Sequence, residues 1–550
     1  MFSTQDDGTG KYGIEPSTDS ATSQRLVEKW HTVCMQQHSA CRSARSKKNW
    51  APTRLVTFDK QSETVRIVKG VRPSVRYVAL SHCWGNTDIL TLTSTNSQEL
   101  AQGVPMSRLP KTFRDAIRVC RWLDYYHLWI DSLCIQQDSH EDWTAEAHAM
   151  TDVYSNATLT IIAAHAANPT DGLFINRDPV ALMPPFIRCS WISDNPRQLY
   201  IPVDSIMWWM GVDYCRLSER AWTVQERFLS PRRLYFSKQQ IFYACAAGKA
   251  CEAFPAGKTP YQMGRMYGGS SLFSDRKVSP REIWSSVAGD YACAALSKDT
   301  DKIIALSGVA EKMQHQLKDE YVVGLWRSNL VHELLWRHSG SGGERYRPGP
   351  GRIAPTWSWM SVSGSAGAYI NSTSCSSVAT ECKHHIKIVY ATVDKVDPTR
   401  PTGDIIPGSG ILKIQGQLKP ASWFPIRQYS FHDWRKYQIT FDGEVGAASE
   451  DSRNDSMLTH PDLMDRSILD KEIFLLPVKT SLEHEKTESL LLTPVVKEEC
   501  LYERIGHHEL DGINPLLFKE RSKGKASSDN RDTSGSIEWK DIAVTDIIII

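Results

Sequence analysis

Apolar residues recur along the first half of the chain in two alternating rhythms. Tyr77 to Leu80, Leu128 to Ile135 and Thr158 to Ala163 are short and nearly continuous, as strands buried on both faces must be. Between them the period becomes helical. Thr112-Phe-Arg-Asp115 reads as an N-cap with an acidic third position, and Phe113, Ile117, Cys120 and Leu123 then share one side. A second helix is predicted from about Glu141 to Tyr154. Strands alternating with helices predict an α/β fold whose parallel sheet is covered on both sides.

The flanks read differently. Gln24 to Ser43 has a helical stripe of Leu26, Trp30, Val33, Cys34 and Met35, and Arg54 to Val68 alternates around a polar turn, as two short strands would. Arg220-Ala-Trp-Thr-Val-Gln-Glu226 sets Trp222, Gln225, Glu226 and Leu229 along one helix side. Arg232 to Ser237 and Gln240 to Cys245 then form a hairpin that extends or caps the sheet. Further on, Asp301 to Met313 and Tyr321 to Trp336 are amphipathic and predict a helical unit, followed by a Gly/Pro-rich connection and short strands at Ile386 to Ala391 and Ile411 to Gln415. Gly446 to Ser456 and Lys519 to Ser536 read as mobile loops, and the terminal DIIII as an edge strand or a sticky tail. The resulting division is a disordered start over 1–20, an N-terminal helix over 21–50, the α/β domain over 51–255, a helical region over 256–340 and a β-rich region over 341–550.

Composition narrows the partners. Lys and Arg number 64 against 63 Asp and Glu, a net charge of +1 that disfavours nucleic acid. The one basic cluster, Arg42, Arg45, Lys47 and Lys48, reads as a solvated helix end. No stretch reaches the roughly 18 apolar residues of a membrane helix, and the polar start lacks a signal-peptide core, so a soluble, cytoplasmic protein without membrane partners is expected. The 13 cysteines form no compact framework, which fits a reducing compartment, and the 18 tryptophans anchor packing between layers.

Candidate chemistry collects at strand ends, where loops leave the core. Ser81-His-Cys-Trp-Gly85 and Gln136-Gln-Asp138 both sit there. Alternation sends Ser81 and Cys83 one way and His82 the other, so the motif holds no ready-made nucleophile–base pair, and a cysteine hydrolase using Cys83 or Cys134 would need a distant histidine. Glu146 falls on the apolar stripe of Trp143, Ala147, Met150, Val153 and Tyr154. A buried carboxylate is paired, protonated or used, here in an ion pair with an arginine such as Arg220, or at a cleft as a raised-pKa acid or a carboxylate that binds a ribose hydroxyl. Cys34, His38 and Cys41 share a helix face and are metal-ligand types, but structural zinc takes four ligands and no fourth neighbours them, so no metal is assigned. No Gly-rich phosphate loop is present, which disfavours dehydrogenase and nucleotide-hydrolase chemistry.

Three long blocks carry a resemblance: YVALSHCWG, LWIDSLCIQQD with DWTAEAHAMTDVYSNATLTIIAA, and RAWTVQERFLSPRRLYF resemble the fungal heterokaryon incompatibility (HET) domain family, in order, over roughly residues 75–250. DKIIALSGVAE, YVVGLWRSNLVHELLWR and APTWSWMSVSG extend it more weakly to about residue 365. Ala221 stands where many members have glycine, and Gln136 where asparagine or isoleucine is frequent. The resemblance implies an intracellular allorecognition protein that triggers cell death as a signalling module, through a sensor or allelic partner protein and self-association. A suggested likeness of this family to TIR domains implies a flavodoxin/TIR-like sheet and, as an alternative, an NAD glycohydrolase. In that alternative Glu146 is the catalytic residue, and Ser81, Trp84, Gly85, Asp131, Arg220 and Trp222 shape the nucleotide site. NAD would be substrate, with no resident cofactor.

Overall fold

The computed structural model describes residues 13–42, 49–182, 186–189, 197–200, 208–257, 279–338, 352–363, 368–369, 382–425, 437–441, 457–461, 471–481, 486–511 and 543–550. The chain divides into two compact units, Met1–Ser279 and Pro280–Ile550.

The first unit is built on a nine-stranded sheet. In chain order its strands are β1 (Arg54–Phe58), β2 (Thr64–Lys69), β3 (Val78–Ser81), β4 (Val104–Pro105), β5 (His127–Trp129), β6 (Leu159–Ile162), and, after the separate antiparallel pair β7 (Phe186–Cys189) and β8 (Arg197–Tyr200), β9 (Arg232–Phe236), β10 (Ile241–Cys245) and β11 (Gly248–Cys251). They lie in the order β11-β10-β9-β6-β3-β5-β1-β2-β4. The centre, β5-β3-β6-β9, is parallel, and the hairpins on either side are antiparallel. All four residues of β3 and of β6 are buried, which is why their sequences do not alternate.

Helices α1 (Ala21–Gln37), α2 (Ser39–Arg42), α3 (Ser97–Gln102), α4 (Lys111–Trp122), α5 (Asp131–Cys134), α6 (His140–Asn156) and α7 (Ala221–Leu229) complete this unit. The crossover from β3 to β5 through α4 moves one way along the sheet, while those through α6 and α7 move the other. Right-handed crossovers therefore set α4 on one face and α6 with α7 on the other. The direction reverses between β3 and β6, the point at which open α/β sheets leave a crevice beyond the strands.

Local details depart from the sequence reading for identifiable reasons. The second buried strand stops at Trp129, because Ile130 caps the short helix α5. Pro110, not Thr112, caps α4, since proline suits the start of a helix; the Thr112 hydroxyl instead accepts from the Gly172 amide.

In the second unit, helices at Pro280–Cys293 and Ile304–Leu317 precede a ten-stranded, largely antiparallel sheet. The segment Tyr321 to Trp336 is not a single helix. Val323 (φ 43°) and Gly324 (φ 86°) form a left-handed turn that pairs Tyr321–Val322 with Leu325–Trp326 before the short helix Leu330–Glu333. The closing isoleucines form neither an edge nor a tail, for Thr545–Ile549 pairs with Ile411–Gly416 on one side and with Leu501–Tyr502 on the other. Trp284, Trp326, Trp336, Trp357 and Trp359 are fully buried here, as tryptophan anchors should be. The loops expected at 446–456 and 519–536 and most of the Gly/Pro-rich connection lie outside the described residues.

Candidate functional site

Beyond the parallel strands, three segments bring polar tips together. β3 delivers Ser81 and His82, the end of β5 delivers Asp131, and Arg220 opens α7. Arg220 Nη1 donates to the His82 carbonyl at 2.6 Å, which ties α7 to the end of β3. Trp84 Nε1 donates to Asp131 Oδ2 at 2.7 Å, and Asp131 Oδ1 accepts from the Ser132 amide at 2.8 Å and lies 3.6 Å from His82 Nδ1.

Strand alternation sorts these groups onto two faces. His82 and Trp84 share one, where the rings stack at 6.5 Å with an interplanar angle of 12° and His82 meets the edge of Phe113 from α4. Burial pushes the His82 pKa down; Asp131 opposes this and Arg220 adds to it, so a neutral imidazole is favoured. Ser81 turns to the other face, toward α6 and α7, where its hydroxyl and that of Tyr154 face the carboxyl of Glu226. Burial raises Glu226 to about 7; Ser81, Arg220 and Tyr154 favour its anion, while the charge of Asp131 opposes it. Burial also lifts the Tyr154 phenol well above its usual range. The arrangement is a sequestered acid poised near neutrality beside a serine hydroxyl and an arginine, the setting in which a carboxyl can exchange a proton at physiological pH.

Gly85 makes the turn possible. Its φ of 61° is left-handed, and a Cβ there would stand 2.6 Å from Asn168 Cβ. Trp84 is half-buried and Gly85 exposed, so this edge of the cluster reaches the surface. Trp222 follows Arg220 but packs edge-on against Trp143 of α6 at 6.3 Å, which fixes α7 on α6.

Glu146 makes none of the contacts named above, though it and Asp131 both act on Cys134. It is buried on α6, eight residues and about 12 Å back from Tyr154 along the helix axis. Its partner is Arg54 of β1, at 3.6 Å, rather than Arg220, and Arg54 is also held by Asp142 at 2.6 Å. Burial raises the Glu146 pKa, opposed by Thr53 and Arg54. Cys83 and Cys134 are buried thiols raised by burial, Cys134 to about 12, and among the described residues no histidine bonds either sulfur. Neither has the activation that nucleophilic cysteines require.

The sequence reading left out Glu226 and Tyr154 as site residues. The signal for Glu226 was there, since it lies on the same α7 side as Trp222 and Leu229, as Glu146 lies on an apolar side of α6. It also left Cys34, His38 and Cys41 without a fourth ligand. The fold supplies Cys245 from β10, and ligand atoms of all four lie within 4.8 Å of one another.

Residues 77–226, which hold every member of the rim cluster, match the family model described as heterokaryon incompatibility protein (HET). Over 104 residues the chain is 29% identical to heterokaryon incompatibility protein 6, OR allele, of Neurospora crassa. That match covers 17% of this chain, which thus spans only 15% of the relative's length. No solved structure matches.

Proposed function

We propose that this chain, a HET domain-containing protein, acts in heterokaryon incompatibility as a cytoplasmic signalling module that triggers cell death after engaging a sensor or allelic partner. The family match over residues 77–226 carries this reading, and the similarity to a heterokaryon incompatibility protein adds to it. Induced expression of the full chain in a filamentous fungal host tests it. Growth arrest is the expected outcome, relieved by Arg220→Ala, which unties α7 from the end of β3. Normal growth at a matched protein level would discard the reading.

The poise of Glu226 favours a second reading, cleavage of an NAD-type nucleotide at its nicotinamide glycosidic bond. The order β5-β3-β6-β9, chain order 2-1-3-4 among the parallel strands, supports a flavodoxin/TIR-like sheet with a crevice at the reversal point. In this reading Trp84 stacks on a ring of the nucleotide at the rim. The Glu226 carboxylate stabilises the oxocarbenium-like ribose as nicotinamide departs with the bonding electron pair. Water then adds its oxygen to the anomeric carbon and gives a proton to Glu226. Incubating the purified chain with NAD and following nicotinamide tests this step. Glu226→Gln should lower release by about 100-fold or more, in the range removal of a general base produces. No release by the wild-type chain, whether monomeric or assembled, would end this second reading and leave the signalling role untouched.

A further inference from the structure

The N-terminal helices meet the far hairpin of the sheet through sulfur. Cys34 lies in the last turn of α1, His38 is its C-cap, Cys41 lies on α2 and Cys245 ends β10, and all four are buried. The three thiols are free of disulfides. Cys245 Sγ stands 3.4 Å from His38 Nδ1, and the four ligand atoms lie within 4.8 Å of one another. A tetrahedral zinc, about 2.3 Å from sulfur and about 2.0 Å from nitrogen, sets its ligand atoms about 3.5–3.8 Å apart, so a small contraction closes this set around the ion.

The surroundings point the same way. Arg232, 5% exposed, reaches Cys34 Sγ with Nε at 3.2 Å and donates through Nη1 to the Thr158 carbonyl at 3.2 Å and through Nη2 to the Cys41 carbonyl at 2.6 Å. Among the described residues no carboxylate pairs with it, although a guanidinium stays charged and a buried charge needs a counter-charge. Three thiolates and one imidazole around a divalent ion carry a single net negative charge, which Arg232 balances. The Ala247 amide donates to Cys41, and the Tyr243 hydroxyl faces Cys34, the outer hydrogen bonds that orient thiolate ligands.

We propose that Cys34, His38, Cys41 and Cys245 bind one structural zinc ion in a closed Cys3His site that fastens the N-terminal helices to β10. Three thiolates with one imidazole select zinc over magnesium or calcium, and four buried protein ligands leave no position for substrate, which separates this site from the rim cluster. Its ligands fall outside the matched residues 77–226, three before and one after, so the site is a feature of this chain's flanks. The metal would join segments that only the fold brings together.

Metal content decides the matter. Full-length chain expressed with zinc and purified under reducing conditions should carry one zinc per chain by elemental analysis. Cys245→Ser and His38→Ala should retain less than about a tenth of that, in line with loss of a ligand from a closed site. His38→Cys, which keeps four ligands, and Cys293→Ser, which alters an exposed thiol, should both retain it. Because a ligand variant can misfold, the wild-type chain supplies a second readout: replacement by cobalt should give the intense visible bands of tetrahedral cobalt thiolate, and chelation should lower Tm reversibly. Wild-type chain free of zinc and without those bands overturns the proposal. So does Cys245→Ser with undiminished zinc, or a native disulfide between any two of the three cysteines.

Discussion

Two buried glutamates, Glu488 in the second unit and Glu226 in the first, are settled in opposite ways. In the second unit Glu488 is 2.8 Å from Lys479 and 3.5 Å from His507, while Glu509 pairs with Lys486 at 2.5 Å and with Arg337. Burial works against the charge of Glu488, but His507 and Lys479 outweigh it and bring its pKa down to about 2. In the first unit the cation acting on Glu226 among the described residues is Arg220, whose Nη1 is spent on a carbonyl, and burial raises the Glu226 pKa to about 7. Equal burial thus gives a permanent anion where cations surround it and a titrating acid where they do not. The first arrangement is structural; the second is the kind that chemistry uses. The same count separates the two clusters of metal-ligand types. Glu488, His507 and Glu509 already have Lys479, Lys486 and Arg337, whereas among the described residues the cation acting on Cys34 and Cys41 is Arg232.

The strongest test removes a cation from the paired cluster. Lys479→Met leaves Glu488 buried without its lysine partner and should cost about 3–5 kcal/mol, the usual penalty for orphaning one partner of a buried pair. Denaturant titration followed by hydrogen exchange over Lys486–Val496 would show it. A loss below about 1 kcal/mol would mean that the pairing does not hold this anion.

The unpaired acid makes an opposite prediction in pH. The folded-state pKa of Glu226, about 7, lies above its ordinary 4.5, so between these values the native chain keeps a proton that the unfolded chain releases. Stability should therefore fall as pH rises from 4.5 through 7, by on the order of 3 kcal/mol from this group. Glu226→Gln should remove that fall. Glu488, whose pKa is lowered, gives stability that is present above 4.5 and lost as pH drops toward 2. Denaturant midpoints across pH for wild type and Glu226→Gln separate the two slopes, and an unchanged profile in the variant would place the acid's poise elsewhere.

What the sequence disclosed, and what it withheld, follows the same physics. The buried strands at β3 and β6 and the hairpin of β9 with β10 were legible because full burial and tight turns leave local patterns. Pairing was not. Glu146 and Glu226 each occupy an apolar helix side, and nothing local reveals that one meets Arg54 and the other Ser81 and Tyr154. Cys245 is likewise an ordinary strand-end cysteine until the fold lays it against α1 and α2. Helical and strand periods report which side is buried; they carry no information about which distant charge or thiol is buried with it.

A smaller effect is expected at the rim's backbone. Gly85→Ala adds a Cβ 2.6 Å from Asn168 Cβ at a φ of 61° and should cost about 1–3 kcal/mol while shifting Trp84, visible in its fluorescence. Gly70→Ala, at a φ of 66° with open space around it, isolates the conformational part and should cost about 1 kcal/mol. Equal losses at the two sites would mean that Asn168 yields freely and that the rim is not sterically set.

The smallest effect is expected at Glu146, which is the sharpest check on the distinction between the two glutamates. Arg54 is held by two contacts to Asp142, at 2.6 and 3.0 Å, and by the Cys134 carbonyl at 3.0 Å, so its charge is already matched without Glu146. A second carboxylate at 3.6 Å adds uncompensated negative charge, consistent with the upward push that burial gives its pKa. Glu146→Gln keeps the shape and removes that charge, and should move stability by no more than about 0.5 kcal/mol, as an ion pair with a redundant partner does. Nicotinamide release, if Glu226 is the working acid, should stay within about two-fold of wild type, since the substituted group lies about 12 Å along α6 from Tyr154. A loss of 100-fold with an unchanged melting temperature would return the catalytic role to Glu146 and make Glu226 the structural one.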